Sequence, residues 1–358
     1  MFGLDLLLAE SAPPFAGKRI AYLAHGASRD LQGTHGVTRI LQRNAWELLR
    51  LFSPEHGFAG TGAAGEHIPS GIHPDSGLPV KSLYGEHRRP PSDWLQDLDA
   101  LIIDLQDLGV RCYTYASTLD YCLEACATVG LPVLVLDRPT PLAGCCDGPA
   151  LQPELRSFVG EIDLPFVFGL SQAPLAAFLK QTRPYGPDLH LSLRLSDSNT
   201  GSRPWFPPSP AIQTPSAARF YPMTVLCEAL GDVDVDRSGP RAFQCWSMPD
   251  LPGSALLKAF SSSPIHCQID TGANGWPRIS FQELPASTPW QPVRMGMHLL
   301  AALRDELGAD RLFSHAKARP DFFDQLLGSR LPRERLISGA AAEEIYAEWP
   351  KSILTPVD

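Results

Sequence analysis

The segment "LFSPEHGFAG" (51–60) leaves an apolar run through a proline and sets Glu55 and His56 side by side on a glycine-flanked turn. Turns are built from proline, glycine and polar residues whether or not they do chemistry, and Glu55 as a cap on the following turn is the plain alternative. The chemical reading is a carboxyl group at the mouth of a cleft. Phe52 and Phe58 beside it would give that group the apolar neighbours that suit a general acid. Other segment ends carry comparable side chains. His25 closes "KRIAYLAH" (18–25). Asp104, Gln106 and Asp107 lie in "LDALIIDLQD" (98–107), followed by Arg111, Tyr113 and Tyr115 in "GVRCYTY". Asp137 and Arg138 end "LPVLVLDRP" (131–139). The stretch after Glu55 adds Glu66 and His67 in "GAAGEHIPS" and Tyr84 in "SLYGEHRRP". Several acids with arginines and tyrosines suit a polar, hydroxylated, anionic substrate such as a sugar acid, because tyrosine stacks on sugar faces while its hydroxyl bonds ring substituents.

Each of these residues also has a structural reading. Asp104 lies inside a strand and needs a partner if buried, and Arg111 is a natural one. Tyr113 and Tyr115 alternate as packing residues do, and Asp137-Arg138 before Pro139 fits a strand-end turn. A metal centre is the competing chemistry. His56, His67, His73 and His87 are interleaved with Glu55, Glu66, Asp75 and Glu86, but there is no HExxH and no histidine pair at the spacing of a helical zinc site. No metal is assigned. A GxSxG nucleophile elbow is absent, and so is a GxGxxG after the first strand, which argues against a dinucleotide; no cofactor is expected.

The elements that must position these groups alternate in type. Strand-like runs at 18–25, 46–52, 98–107 and 131–136 alternate with helical spacing at 36–44 and 115–130. That alternation predicts an α/β fold: a Rossmann-like parallel-sheet domain (1–205) with ligands bound outside the carboxyl ends of its strands. Two long loops, 55–92 and 139–165, hold enough aromatic residues to be ordered. The proline-rich crossing 202–222 leads to a second, smaller α/β or α+β domain (206–358), in which a helix opens at "PMTVLCEAL" with Pro222 in its first turn. Strands are expected in "RAFQCW", "HCQID" and "RISFQ", and helices at 293–306, 320–327 and 340–348.

Composition narrows the class. Hydrophobic residues at 44% give material for a core, and a net charge of -9 leaves no basic footprint for nucleic acid. Eight cysteines without CxxC spacing read as core residues of a reduced compartment. "MFGLDLLLAE" lacks the basic start of a signal peptide, and no run approaches a membrane span. The expectation is a cytoplasmic protein with no membrane or nucleic-acid partner; oligomeric state is not legible.

The succession "LFSPEHGFAG", "AGEHIPS", "DSGLPVKSLYGEHRRP", "LDALIIDLQDLGVRCYTYASTL", "LPVLVLDRPTPLAG", "SFVGEIDLPFVFGLS" and "WFPPSPAIQT" resembles the exo-β-N-acetylmuramidase family of peptidoglycan recycling, across nearly the whole chain. The resemblance implies a glycosidase that releases terminal N-acetylmuramic acid from the non-reducing end of muropeptide-derived glycans, with its cleft between the two domains. It makes Glu55 the acid, with Glu66, Asp104 or Asp107 as its companion. His25, His56, Tyr84, Arg111, Tyr113, Tyr115, Asp137 and Arg138 are the substrate-binding candidates. The chain departs from the family pattern in "LAHGASRD", where His25 stands near an Asn position. It departs again in "GDVDVDRSGPRAFQCW", where Arg237 and Gly239 align but Gln244 replaces a Glu. A non-catalytic sugar-binding protein and a metal-dependent hydrolase built on the histidine-rich 55–90 stretch are the alternative readings.

Overall fold

The first sheet forms where branched apolar residues are densest. In the computed structural model, which describes residues 1–186, 189–196, 203–261, 263–282 and 290–352, it comprises β1 (Arg19–Ala24), β2 (Glu47–Ser53), β3 (Gly71–Ile72), β4 (Pro79–Ser82), β5 (Ala100–Asp104), β6 (Val133–Leu136) and β7 (Leu191–Arg194). Their spatial order is β3-β4-β2-β1-β5-β6-β7, parallel throughout except for β3 against β4. Strand β5 ("ALIID") and strand β6 ("VLVL") are buried at every position, as strands covered on both faces must be. Their alternate side chains divide between two cores. Leu23, Leu101, Ile103, Val133 and Val135 face one; Ile20, Tyr22, Ala100, Ile102, Leu134 and Leu136 face the other. Each fully buried Leu or Ile of this kind contributes about 1.5–3 kcal/mol.

Helices Tyr115–Val129 and Gln172–Thr182 cover the first face, and Gly3–Ala9 and Gly36–Arg43 the second. The opening segment thus becomes a helix with Leu4 and Leu7 buried. Its entry is tight: the Gly3 amide donates to the Asp137 carbonyl at 2.8 Å, and a Cβ at Gly3 would lie 2.4 Å from the Asp137 nitrogen. From β1 the chain builds outward to β2 and β4, then returns to build β5, β6 and β7 on the other side. The reversal falls between β1 and β5, which is where such sheets open a ligand crevice.

The second, smaller domain has an antiparallel sheet of β8 (Cys245–Ser247), β9 (Cys267–Thr271) and β10 (Pro277–Phe281), ordered β8-β10-β9. Helices Gly253–Phe260 and Pro292–Leu307 pack beside it, an α+β arrangement.

Three expectations change. The 55–92 stretch is not all loop, since β4 extends the parallel sheet; a four-residue strand opening on Pro79 carries too little alternation to be legible. The helix expected to open at Pro222 opens at Pro215, where the Thr214 hydroxyl accepts from the Ala217 amide at 3.0 Å, and Pro222 sits inside it. Asp104 does not pair with Arg111. Its carboxylate receives Arg138 through Nε and Nη2 (2.9 Å for Nη2) and the Tyr22 hydroxyl at 2.6 Å, all fully buried. Arg111 instead donates to the backbone carbonyls of Leu164 and Leu327.

Breaking a buried pair strands the remaining charge. Asp104→Ala is therefore expected to lower unfolding free energy by about 3–5 kcal/mol in urea titrations. The double variant Asp104→Leu/Arg138→Met should lose less than the sum of the single changes. Strict additivity would show that the pair is not the source of the loss.

Candidate active site

Strand β2 ends at Ser53, and Pro54 releases the chain into a turn whose residues are held one by one. The Gly57 amide donates to the Pro54 carbonyl at 3.1 Å, and the Gly62 amide to the His56 carbonyl at 3.0 Å. His56 has φ +68°, in the left-handed region that a non-glycine residue enters only when its surroundings enforce it, and its Nδ1 lies 2.8 Å from the Gly62 carbonyl. The turn fixes the Glu55 carboxyl group. Its Oε1 accepts from the Gly65 amide at 2.8 Å and its Oε2 from the Thr114 hydroxyl at 2.6 Å. Thr114 immediately precedes helix Tyr115–Val129, so the end of β2 and the segment after β5 meet at this carboxyl group.

Glu55 borders a cavity of about 620 Å³, within the size range of small-molecule sites. The sheet domain contributes Glu55, His56, Tyr84, Tyr113 and Thr114; the crossing contributes Ser209 to Ile212; the second domain contributes Tyr221, Glu228, Arg237, Phe243, Arg319 and Phe322. Burial, then the charge of Glu55 and a hydrogen bond to it, push the Tyr84 hydroxyl up to about 12. The Arg88 guanidinium sits 4.5 Å from the Tyr84 ring centre. The Tyr113 hydroxyl is close to Ser209 and Tyr115 but completes no hydrogen bond of good geometry. A second cavity of equal volume, lined by residues 141–146, Arg219, Trp290 and Arg294 among others, has no carboxylate on its walls.

The structure thus brings Glu55, His56, Tyr84 and Tyr113 together, and places the other candidates elsewhere for identifiable reasons. Glu66 is exposed and turns back to the Ala63 amide at 2.7 Å. Asp104 and Arg138 are spent on each other. Asp107 is buried, accepting from the Gly109 amide at 2.8 Å and the Gln172 side chain at 2.6 Å. Asp137 takes the Ala173 amide at 3.1 Å and the Ser196 hydroxyl at 2.8 Å. Arg111 stitches buried carbonyls. His25 and Tyr115 lie behind the wall. His25 Nε2 accepts from the Gln106 amide at 3.0 Å, its Nδ1 lies 3.3 Å from the Pro208 carbonyl, and the Tyr115 hydroxyl donates to that carbonyl at 2.9 Å. Burial, reinforced by Arg138, holds the His25 pKa well below its ordinary value, so the ring is neutral. The loop histidines do not converge: His73 bonds Ser76, and His87 packs edge-on against Trp94. Among the described residues no group of three or more His, Cys, Asp or Glu is placed to hold a metal ion, and no helix is long and apolar enough to cross a membrane.

Sequence reasoning missed Thr114, Tyr221, Glu228 and Arg319 as cavity residues. Thr114 in "GVRCYTY", Tyr221 in the crossing 202–222, Glu228 in "PMTVLCEAL" and Arg237 in "GDVDVDRSGPRAFQCW" stood in stretches already singled out, for other reasons.

A carboxyl group and three tyrosines lining a cavity at the carboxyl edge of a parallel sheet is an arrangement suited to sugar hydrolysis, and the chain is an α/β enzyme of the glycosidase class. Residues 20–216, more than half of its length, match the family model "Exo-beta-N-acetylmuramidase NamZ, N-terminal", and the chain belongs to that family. It is 28% identical to the peptidoglycan β-N-acetylmuramidase NamZ of Bacillus subtilis (strain 168), over 98% of this chain and 87% of that protein. Two crystal structures of DUF1343 family proteins from Bacteroides fragilis NCTC 9343 share the fold. One has TM-score 0.85 at 24% identity, covering 97% of this chain and 94% of that one; the other has 0.75 at 27%, covering 98% and 94%.

The buried Asp107 gives a pH signature. Burial outweighs its hydrogen bonds from the Gly109 and Leu108 amides and Gln172, and pushes its carboxyl group up to about 7. An unfolded chain ionises the same group near ~4. Between these values the folded state binds more protons, so stability falls as pH rises, by roughly 4 kcal/mol at most. Denaturation of wild type and Asp107→Asn from pH 4 to 8 should show a difference that changes across this window and is constant above it. A constant difference throughout would contradict the assignment.

Proposed function

We propose that this chain is an exo-acting glycoside hydrolase that releases terminal β-N-acetylmuramic acid from the non-reducing end of peptidoglycan fragments in cytoplasmic recycling, with Glu55 as general acid. The observation that carries this reading is the Glu55 carboxyl group, held by two donors at the wall of a cavity that residues of the sheet line together with Tyr221, Glu228 and Arg237; we take residues 1–205 and 206–358 as the two units that enclose it. The activity in the printed name of the B. subtilis relative supports the choice of sugar.

Hydrolysis requires a proton at the leaving oxygen and stabilisation of an oxocarbenium-like transition state. The Gly65 amide and Thr114 hydroxyl orient the Glu55 carboxyl group. A hydroxyl accepts as readily as it donates, so Thr114 can serve both protonation states as the acid gives up its proton. Tyr84, pushed up to about 12, keeps its proton at neutral pH and remains a donor beside Glu55. Tyr221, Phe243 and Phe322 offer apolar surface to the sugar. Glu66, Asp104 and Asp107 do not line the cavity, so we assign attack on the anomeric carbon to the carbonyl oxygen of the substrate's own 2-acetamido group, positioned by a tyrosine hydroxyl: the C1–O bond breaks as Glu55 gives its proton to the leaving oxygen, and water then opens the cyclic intermediate.

Two substrates test the acid. With a muramyl disaccharide, whose leaving sugar needs protonation, Glu55→Gln should lower kcat by about 10²–10⁴-fold. With an aryl β-N-acetylmuraminide bearing an acidic phenol the loss should be far smaller, and a chelator should change neither rate. Equal losses on both substrates would remove Glu55 from the acid role. Turnover of an aryl β-N-acetylglucosaminide in place of both muramic substrates would change the sugar. Binding of N-acetylmuramic acid without turnover of either substrate would make the chain a sugar-binding protein.

A further inference from the structure

The cavity is electrically lopsided. Glu55 stands on the sheet-domain wall, while the opposite rim carries two exposed guanidinium groups, Arg237 and Arg319. Both are fastened to one residue. Arg237 gives Nε (3.0 Å) and Nη2 to the Glu228 carboxylate oxygen Oε1, and Arg319 gives Nη2 to the Glu228 main-chain carbonyl at 2.8 Å. Glu228 is well buried, its side chain 12% exposed, whereas the Arg237 side chain is 44% exposed. Among the described residues Arg237 Nη1 and Arg319 Nη1 have no hydrogen-bond partner. Arg319 also lies 4.3 Å from the Phe322 ring centre, which restricts its swing.

An exposed ion pair contributes little to stability, and bringing two like charges to one cavity rim costs energy unless an anion joins them. Glu228 offsets one of the two guanidinium charges, and the unpartnered Nη1 groups are the donors that an anionic ligand would complete. A negatively charged substituent is drawn to the arginine side, which leaves the rest of the sugar, with its glycosidic oxygen, for the wall that carries Glu55. Guanidinium groups match carboxylates in shape and donor geometry.

We propose that Arg237, assisted by Arg319, binds a carboxylate borne on the substrate's sugar ring, the lactyl carboxylate of muramic acid, and that Glu228 is the positioning residue for both. The assignment rests on the function proposed above and identifies what distinguishes muramic acid from a neutral N-acetylhexosamine in this cavity.

Calorimetric titration with N-acetylmuramic acid, its lactyl methyl ester and N-acetylglucosamine tests it. Wild type should bind the free acid about 10–100-fold more tightly than the other two. Arg237→Met should bind all three alike, with its N-acetylglucosamine affinity kept within about twofold of wild type, which certifies an intact cavity. Arg237→Lys should recover part of the preference. Glu228→Gln should raise KM for an aryl muraminide with little change in kcat, a split that general damage to the fold would not give. Preference for the free acid surviving in Arg237→Met, or absent from wild type, overturns the assignment even if wild type turns the muraminide over. Failure to turn over the muraminide and to bind the acid overturns the function, and this assignment with it.

Discussion

Asp104, Arg138 and Tyr22 tie three neighbouring strands together at the carboxyl edge of the sheet. Asp104 ends β5, Tyr22 lies in β1 and Arg138 follows β6. Charges this deep persist only when every lone pair and proton is engaged, and here the engagement is complete enough to fix the edge. Arg138 also reaches the Arg29 carbonyl at 2.8 Å, and the Ser28 hydroxyl donates to the Asp104 carbonyl at 2.6 Å. The turn after β1 is thereby held, and with it His25. Through the Gln106 amide and Pro208 carbonyl, the neutral His25 ring joins the sheet edge to the crossing that walls the cavity. A structural ion pair thus governs the site without entering it.

The molecule sorts its acids by environment. Asp104 has a paired cation, Asp107 has neutral donors and a raised pKa, and Asp147 receives the Val293 and Arg294 amides at the start of helix Pro292–Leu307. Each stabilises a junction. Glu55 differs because its donors leave it beside open space, on a turn strained at His56. Strain of that kind persists only where surrounding contacts over-determine it, and the Gly62, Gly65 and Thr114 contacts do so here.

The sequence made β1, β5 and β6 legible because continuous branched runs between helical segments have few other readings, and the SPEHG turn announced itself through its punctuation. Much of the site was not legible, for a geometric reason. The strand-end rule puts a residue at the correct edge but does not say whether its side chain points up into the crevice or sideways into a core. Asp104 is still in register with Ala24 and turns inward; Glu55, two residues beyond the end of β2, clears the sheet. Arg111 was read as the partner of Asp104 from chemistry alone, when the carbonyls of Leu164 and of Leu327, at the end of helix Pro320–Leu327, were competing for it. Glu228 sits in a 3-10 segment with no local motif. Its role arises only because residues 237 and 319 fold back onto it.

The two halves divide the labour in a way that follows from their construction. A parallel sheet buried on both faces and pinned by an internal ion pair gives the Glu55 carboxyl group a rigid mount, which the proton transfer proposed for it needs, since its efficiency depends on sub-ångström placement. The second domain, with a three-stranded antiparallel sheet and short helices, presents long arginine side chains fastened at one end and open at the other. Such groups tolerate small shifts while still finding a charged partner, so they suit recognition better than chemistry. The asymmetry of the cavity is therefore a product of the fold: the stiff wall carries the carboxyl group, the adaptable wall the guanidinium groups, and under the assignment proposed above a sugar with one acidic arm is oriented between them.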